Sequence, residues 1–143
     1  MKYDFKGINL EEFSFKLNRV RLEPNQVLDI NPQFARQIRK SNDNPRINLV
    51  ALSFKIESTE EKPKPYDISV TVVGMFELEK EADKNEEKAF AIDATQLLYP
   101  YLRAAVTNLT AQAYIMPLNL PTISGPIFPE DREIYSFNPG DVN

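Results

Sequence analysis

The chain has 143 residues, 42% of them hydrophobic, and a formal net charge of −4 from 17 basic and 21 acidic side chains. That length suits a single domain with a real core, and the acidic balance disfavours tracking of nucleic-acid phosphates, which needs concentrated positive charge. Cysteine and histidine are both absent, which excludes disulfides, thiol nucleophiles, imidazole or thiolate metal ligands and histidine general bases.

Residues 1–11 read as an N-terminal arm with no apolar run suited to a signal peptide, and no membrane-length apolar run follows, so a cytoplasmic location without membrane insertion is expected. Strands are expected over 12–80, with a crossover at 24–45. Phe13, Phe15 and Leu17 alternate with Ser14, Lys16 and Asn18, the pattern of a half-buried strand. The apolar phase then moves to Val20 and Leu22, which predicts a bulge or bend near Asn18-Arg19. In the crossover, Asn31-Pro32 resembles a helix cap followed by proline at the first helical position. Phe34 and Ile38 then fall one turn apart on a short helix, tucked against the core or exposed to a partner.

Ile47 to Ile56 is apolar in both phases, as in a strand covered on both sides. Ser58 to Pro65 is a charged, proline-bearing hairpin loop. Beyond it Tyr66, Ile68, Val70, Val72, Phe76 and Leu78 share one phase, with Gly74 at the missing position, where a long strand is expected to bend. The other phase carries Asp67, Ser69, Thr71, Glu77 and Glu79, a wet face.

A helical region is expected over 81–116, starting near Phe90 to Leu98 and kinked or restarted at Pro100. Leu102, Ala105, Val106, Leu109 and Ala113 recur at helical spacing as an apolar stripe. Tyr101, Leu102, Ala105, Val106 and Leu109 are therefore candidates for the core or for an oligomer contact. The last 27 residues, 117–143, hold five of the eleven prolines and read as an extended exit loop and tail. Leu118, Leu120, Ile123, Ile127 and Phe128 are too apolar for a bare linker. They are expected to pack along the domain or to form a binding surface.

No catalytic residue or metal site emerges. The carboxylate pairs Glu11-Glu12, Glu60-Glu61 and Glu86-Glu87 lack partners in the pattern, and the four glycines form no phosphate loop. Arg36, Arg39, Lys40 and Arg46 read as a solvated basic face. What stands out is apolar supply on a small sheet with two open edges. Such a domain is expected to pair with copies of itself or to take up extended peptide.

Several motifs point further. Leu98-Tyr99-Pro100-Tyr101, Arg103, Thr107-Asn108-Leu109-Thr110 and Leu118-Asn119-Leu120-Pro121 resemble the long helix and exit loop of the SecB protein-export chaperone family. Phe13 to Val20 and Val73-Gly74-Met75-Phe76 resemble its first and last strands, so that about half the chain is covered. The resemblance implies an α+β fold, an antiparallel sheet of three to four long bent strands packed with one long C-terminal helix. It implies a dimer or dimer of dimers, a homotetramer, that acts as an ATP-independent holdase for unfolded polypeptides without a cofactor. Its clients would be exported proteins, handed to a translocation ATPase, or one dedicated client such as an antitoxin.

By position, the client groove would draw on Phe34, Ile38, Leu118, Leu120 and Ile123. Three strands are evident, and the family's fourth would have to lie hidden in Gln26 to Lys40. The family's acidic docking positions fall on Pro24 and Ser69, with Glu23 and Glu77 nearby, and its second helix is replaced by the proline-rich tail. The alternative reading is a non-catalytic adaptor of the same fold that binds one folded partner.

Overall fold

A computed structural model describes residues 2–19, 30–123 and 125–136, with the backbone alone for 133–136. Four strands, β1 (Tyr3–Leu17), β2 (Gln33–Lys40), β3 (Ile47–Ile56) and β4 (Tyr66–Leu78), precede a long helix α1 (Lys84–Gln112) and a short helix α2 (Pro129–Ser136). The strands form one antiparallel sheet in the order β1-β4-β3-β2. Hairpin connections place β3 between β2 and β4. The link from β1 to β2 crosses from one edge of the sheet to the other, through residues of which 20–29 lie outside those described.

Register decides which side chains meet the helix. Phe54 of β3 lies opposite both Phe34 of β2 and Val70 of β4, and Leu52 lies opposite Val72. Because side chains alternate along a strand, this places Val50, Leu52, Phe54 and Ile56 on the same face as Ile68, Val70, Val72, Phe76 and Leu78. All nine are buried under α1. The helix contributes Phe90, Ala94, Leu98, Leu102, Val106 and Leu109 to that core. Phe76 stacks on Phe5 at 5.2 Å and meets the edges of Tyr3 and Phe90, which closes the end of the sheet near the start of α1.

Gly74 sits at the centre of this packing. A Cβ there would stand 2.7 Å from Leu98 Cδ2 and 2.8 Å from Phe76 Cε2, so the missing side chain is the space that Leu98 fills. The ladder from β4 to β3 runs through Gly74 without a register shift. The residue therefore serves the approach of the helix.

Several expectations need correction. Residues 3–11 belong to β1, because Tyr3, Phe5 and Ile8 turn toward the core; the strand begins within the expected arm. The bulges of β1 lie between Phe5 and Gly7 and between Leu10 and Glu12, and Asn18-Arg19 simply ends the strand. Val20 and Leu22 fall outside the described residues. The short helix at Phe34 and Ile38 is instead the hidden fourth strand. Four-residue spacing is also an even number, so it keeps two residues on one face of a strand as well as of a helix. Finally, the tail is not wholly extended. Pro129, placed at the first turn, opens α2 with Glu130 and Asp131 behind it.

The long helix is continuous from Lys84 to Gln112 and contains Pro100. Asp83 caps it: its carboxylate accepts from Glu86 N at 2.8 Å, and the Glu86 side chain accepts from Asp83 N at 3.2 Å. Burial of one whole side under sheet and tail outweighs the single donor that Pro100 withholds from the helical ladder.

Candidate functional site, a cleft between the long helix and the exit segment

Away from the sheet, α1 presents a second face made of Tyr99, Arg103, Thr107 and Thr110, about one turn apart. These side chains hold the exit segment by its backbone. Leu118 N donates to Thr110 Oγ1 at 2.8 Å, and Thr107 Oγ1 lies 3.0 Å from Leu118 O. Arg103 Nε donates to Leu120 O at 2.7 Å and the Tyr99 hydroxyl donates to Pro121 O at 2.6 Å. An extended stretch of polypeptide is thus bound along a helix through main-chain groups, while Leu120 plugs into the core. Burial raises the Tyr99 phenol above its ordinary pKa, with the Arg103 cation pulling the other way, so the hydroxyl remains a donor at neutral pH.

Just past Pro121 the segment lifts away from the helix and turns at Gly125, whose φ is +96°. The gap beneath it is a cleft of about 230 Å³ lined by Tyr99, Pro100, Arg103, Ile123 and Ile127, with Gln96 and Thr122 at its rim. The size admits a side chain or two and falls below the usual cofactor pocket.

The far end of the segment is anchored by a buried ion pair. Both Asp131 carboxylate oxygens accept from the Arg36 guanidinium of β2, at 2.6 and 3.2 Å. The same guanidinium donates to Thr95 Oγ1 at 2.9 Å and to Ala91 O at 3.4 Å, and lies 4.8 Å from the centroid of the Phe128 ring. The exit segment is therefore a strap over the cleft, pinned at 118–121 on one side and at Phe128 and Asp131 on the other.

The residues nominated for client contact separate in space. Ile123 lines the cleft and is 37% exposed. Phe34 is half-buried on the helix-facing side of β2 and touches the cleft through the Tyr99 ring, 6.3 Å away. Ile38 and Leu118 are half-buried against the core, and Leu120 is wholly inside it. Of the helix residues, Leu102, Val106 and Leu109 are core, Ala105 is half-buried, and Tyr101 is 47% exposed.

Arg36 does not belong to the solvated basic face expected of it. It points inward, whereas Lys40 pairs with Glu87 and Arg46 with Glu77 at the surface. Tyr99, Pro100 and Asp131 went unnoticed as site residues, and Ile127 stood only among the apolar residues of the tail. The regular interval of Tyr99, Arg103 and Thr107, flanking the apolar stripe of Leu98, Leu102 and Val106, is a pattern that could have found the helix side of the cleft.

Among the described residues no three acidic side chains converge as metal ligands. Glu86 serves the cap of α1. The sheet's other face carries Ser69 and Glu77, the latter flanked by Arg46 at 2.7 Å and Lys6 at 3.4 Å. Glu23 and Pro24 lie outside the described residues.

An antiparallel four-stranded sheet backed by one long helix, with a small cleft beneath the exit segment, defines the class as α+β. Residues 6–126 match the family model described as preprotein translocase subunit SecB, and the chain belongs to that family. It is 31% identical over 123 residues to an uncharacterised protein of Methanocaldococcus jannaschii, covering 84% of this chain and 77% of that one. It is 35% identical over 75 residues to the protein-export protein SecB of Anaplasma marginale, covering 52% of this chain and 43% of that one. The match thus spans less than half the length of that export protein. The fold is similar to that of the Mycobacterium tuberculosis SecB-like chaperone, solved in complex with a peptide from the HigA1 antitoxin. The TM-score is 0.71 at 22% identity, over 87% of this chain and 93% of that one.

Proposed function

We propose that the chain is an ATP-independent holdase that grips extended, non-native polypeptide in the cleft beside α1. The observation that carries this is the bound state of its own exit segment. Side chains of one helix face grip Leu118, Leu120 and Pro121 through their main-chain groups, which requires no particular sequence. Apolar space continues beside them at Ile123 and Ile127. A client strand laid beside the exit segment would bury apolar side chains in the cleft, with main-chain bonding of the kind that segment shows as the model for its hold. The mycobacterial SecB-like chaperone, solved in complex with a peptide from the HigA1 antitoxin, supports a polypeptide client. Handover to a translocation ATPase has less support, since Glu77 on the outer sheet face is already matched by two cations.

Self-assembly belongs to the same proposal. Leu10, Phe13 and Tyr101 are 48%, 38% and 47% exposed and line one hollow with Ala104 and Ala105, with no charged side chain in its lining. A second copy is the occupant we assign to it, because an uncharged face with alanines on its helix allows close approach of another helix.

The test is aggregation of a chemically denatured protein diluted into buffer without nucleotide. Equimolar addition of the chain should suppress light scattering. Unchanged scattering across a tenfold excess contradicts the holdase.

A further inference from the structure

We propose that Arg103 makes the cleft selective for extended segments in which an apolar side chain is flanked by an acidic one. The proposal rests on the client-holding reading and adds the substrate class.

Arg103 is the charged side chain among those lining the cleft, whose walls are otherwise Tyr99, Pro100, Ile123 and Ile127 with uncharged polar groups at the rim. Its Nε is committed to Leu120 O at 2.7 Å. That bond fixes the plane of the guanidinium and leaves its two terminal nitrogens for another acceptor. Among the described residues five cations have a carboxylate partner, the buried Arg36 with Asp131 among them, and no described carboxylate lies within ion-pair distance of Arg103, the charged group of the cleft. The residue is half-buried, so part of its hydration is already lost. Its charge is felt inside the cleft, where it opposes the effect of burial on the Tyr99 phenol.

A guanidinium held in one plane, partly dehydrated and with no described carboxylate at ion-pair distance beside an apolar hollow, is matched by a carboxylate that accepts two parallel N–H bonds. The net charge of −4 repels acidic peptides at long range, so a preference for them must arise locally. The expected size lies between an exposed and a buried ion pair, roughly three- to tenfold in affinity.

The experiment uses the full chain and three fluorescein-labelled synthetic peptides, each of about sixteen residues. They share one central apolar core, flanked by aspartate, asparagine or lysine. Anisotropy titrations should rank aspartate above asparagine above lysine, and Arg103→Gln should bring the aspartate-to-asparagine ratio to about one. A merely structural role of Arg103 would weaken all three peptides alike and leave the ratio intact. If Arg103→Gln does not fold, a fourth peptide with its aspartates moved to the end remote from the core serves instead, and on the unaltered chain it should bind like the asparagine peptide. Equal affinities for aspartate and asparagine, or a ratio that survives in the variant, overturn the selectivity and leave the holdase standing. Absence of binding by every peptide overturns both.

Discussion

Severing the Arg36–Asp131 pair should release the strap over the cleft, and its cost follows from the geometry. The carboxylate is 6% exposed and the guanidinium 14%, at 2.6 Å. Removing one member of a buried pair costs about 3–5 kcal/mol when the other is left uncompensated. Arg36→Met leaves the Asp131 carboxylate without its guanidinium and with no other described side-chain partner, so the full range of about 3–5 kcal/mol applies. Asp131→Asn leaves Arg36 bonded to Thr95 and Ala91 and should cost less, about 2–3 kcal/mol. The double variant Arg36→Met with Asp131→Leu removes both charges, and should be more stable than Arg36→Met alone by about 1–2 kcal/mol. Urea unfolding followed by far-ultraviolet circular dichroism at pH 7 and one protein concentration measures all three. Single variants within about 1 kcal/mol of the unaltered chain, or a double variant no more stable than Arg36→Met alone, would refute the pinning of the strap by this pair.

Other outcomes are equally definite. Gly74→Ala puts a methyl group 2.7 Å from Leu98 Cδ2 and 2.8 Å from Phe76 Cε2, both on fully buried side chains that have little room to yield. A loss of about 1–3 kcal/mol is expected, read as a fall of several degrees in Tm, and an unchanged Tm contradicts the close packing. Asp67 accepts from Ser58 N at 2.7 Å and from Asn18 Nδ2 at 3.0 Å, and the Ser58 bond above all holds its carboxyl below the usual carboxylate range. Its contribution is therefore present at neutral pH and lost as pH falls from about 4 through the lowered folded value. The stability gap between the unaltered chain and Asp67→Asn should be flat from pH 7 to 5 and shrink below pH 4; a gap that widens on acidification contradicts the assignment. Tyr101→Glu combined with Leu10→Arg should lower the mass seen by light scattering toward one chain without altering circular dichroism. An unaltered mass would place any self-association elsewhere.

The alternating phase of the fourth strand and the apolar stripe of α1 read correctly because each buries one face against the other. The third strand, apolar in both phases and expected to be covered on both sides, buries only the phase of Val50, Leu52, Phe54 and Ile56. A strict period survives only where one solvent boundary runs along the element. The second strand escaped because Phe34 and Ile38 satisfy helical and strand spacing alike, and Arg36 between them looks like a surface charge. Its actual partner, Asp131, is 95 residues away, and no local pattern announces such a pair. The cleft was half legible. Ile123 and Ile127 are both visible among the apolar residues of the tail, whereas the strap geometry that brings them to one cleft depends on where Gly125 turns the chain. Leu120, nominated beside Ile123, faces the core, because bonds from Tyr99 and Arg103 to the neighbouring carbonyls set its direction.

The most direct test of the account is where a client touches the chain. A photoreactive benzoylphenylalanine replaces either Ile123, at the cleft, or Met75, exposed on the outer face of the sheet. Each protein is irradiated with a freshly denatured client. Crosslinks from position 123, with few from position 75, are the predicted result. Equal labelling from both positions, or labelling from position 75 alone, would contradict the cleft as the place where polypeptide is held.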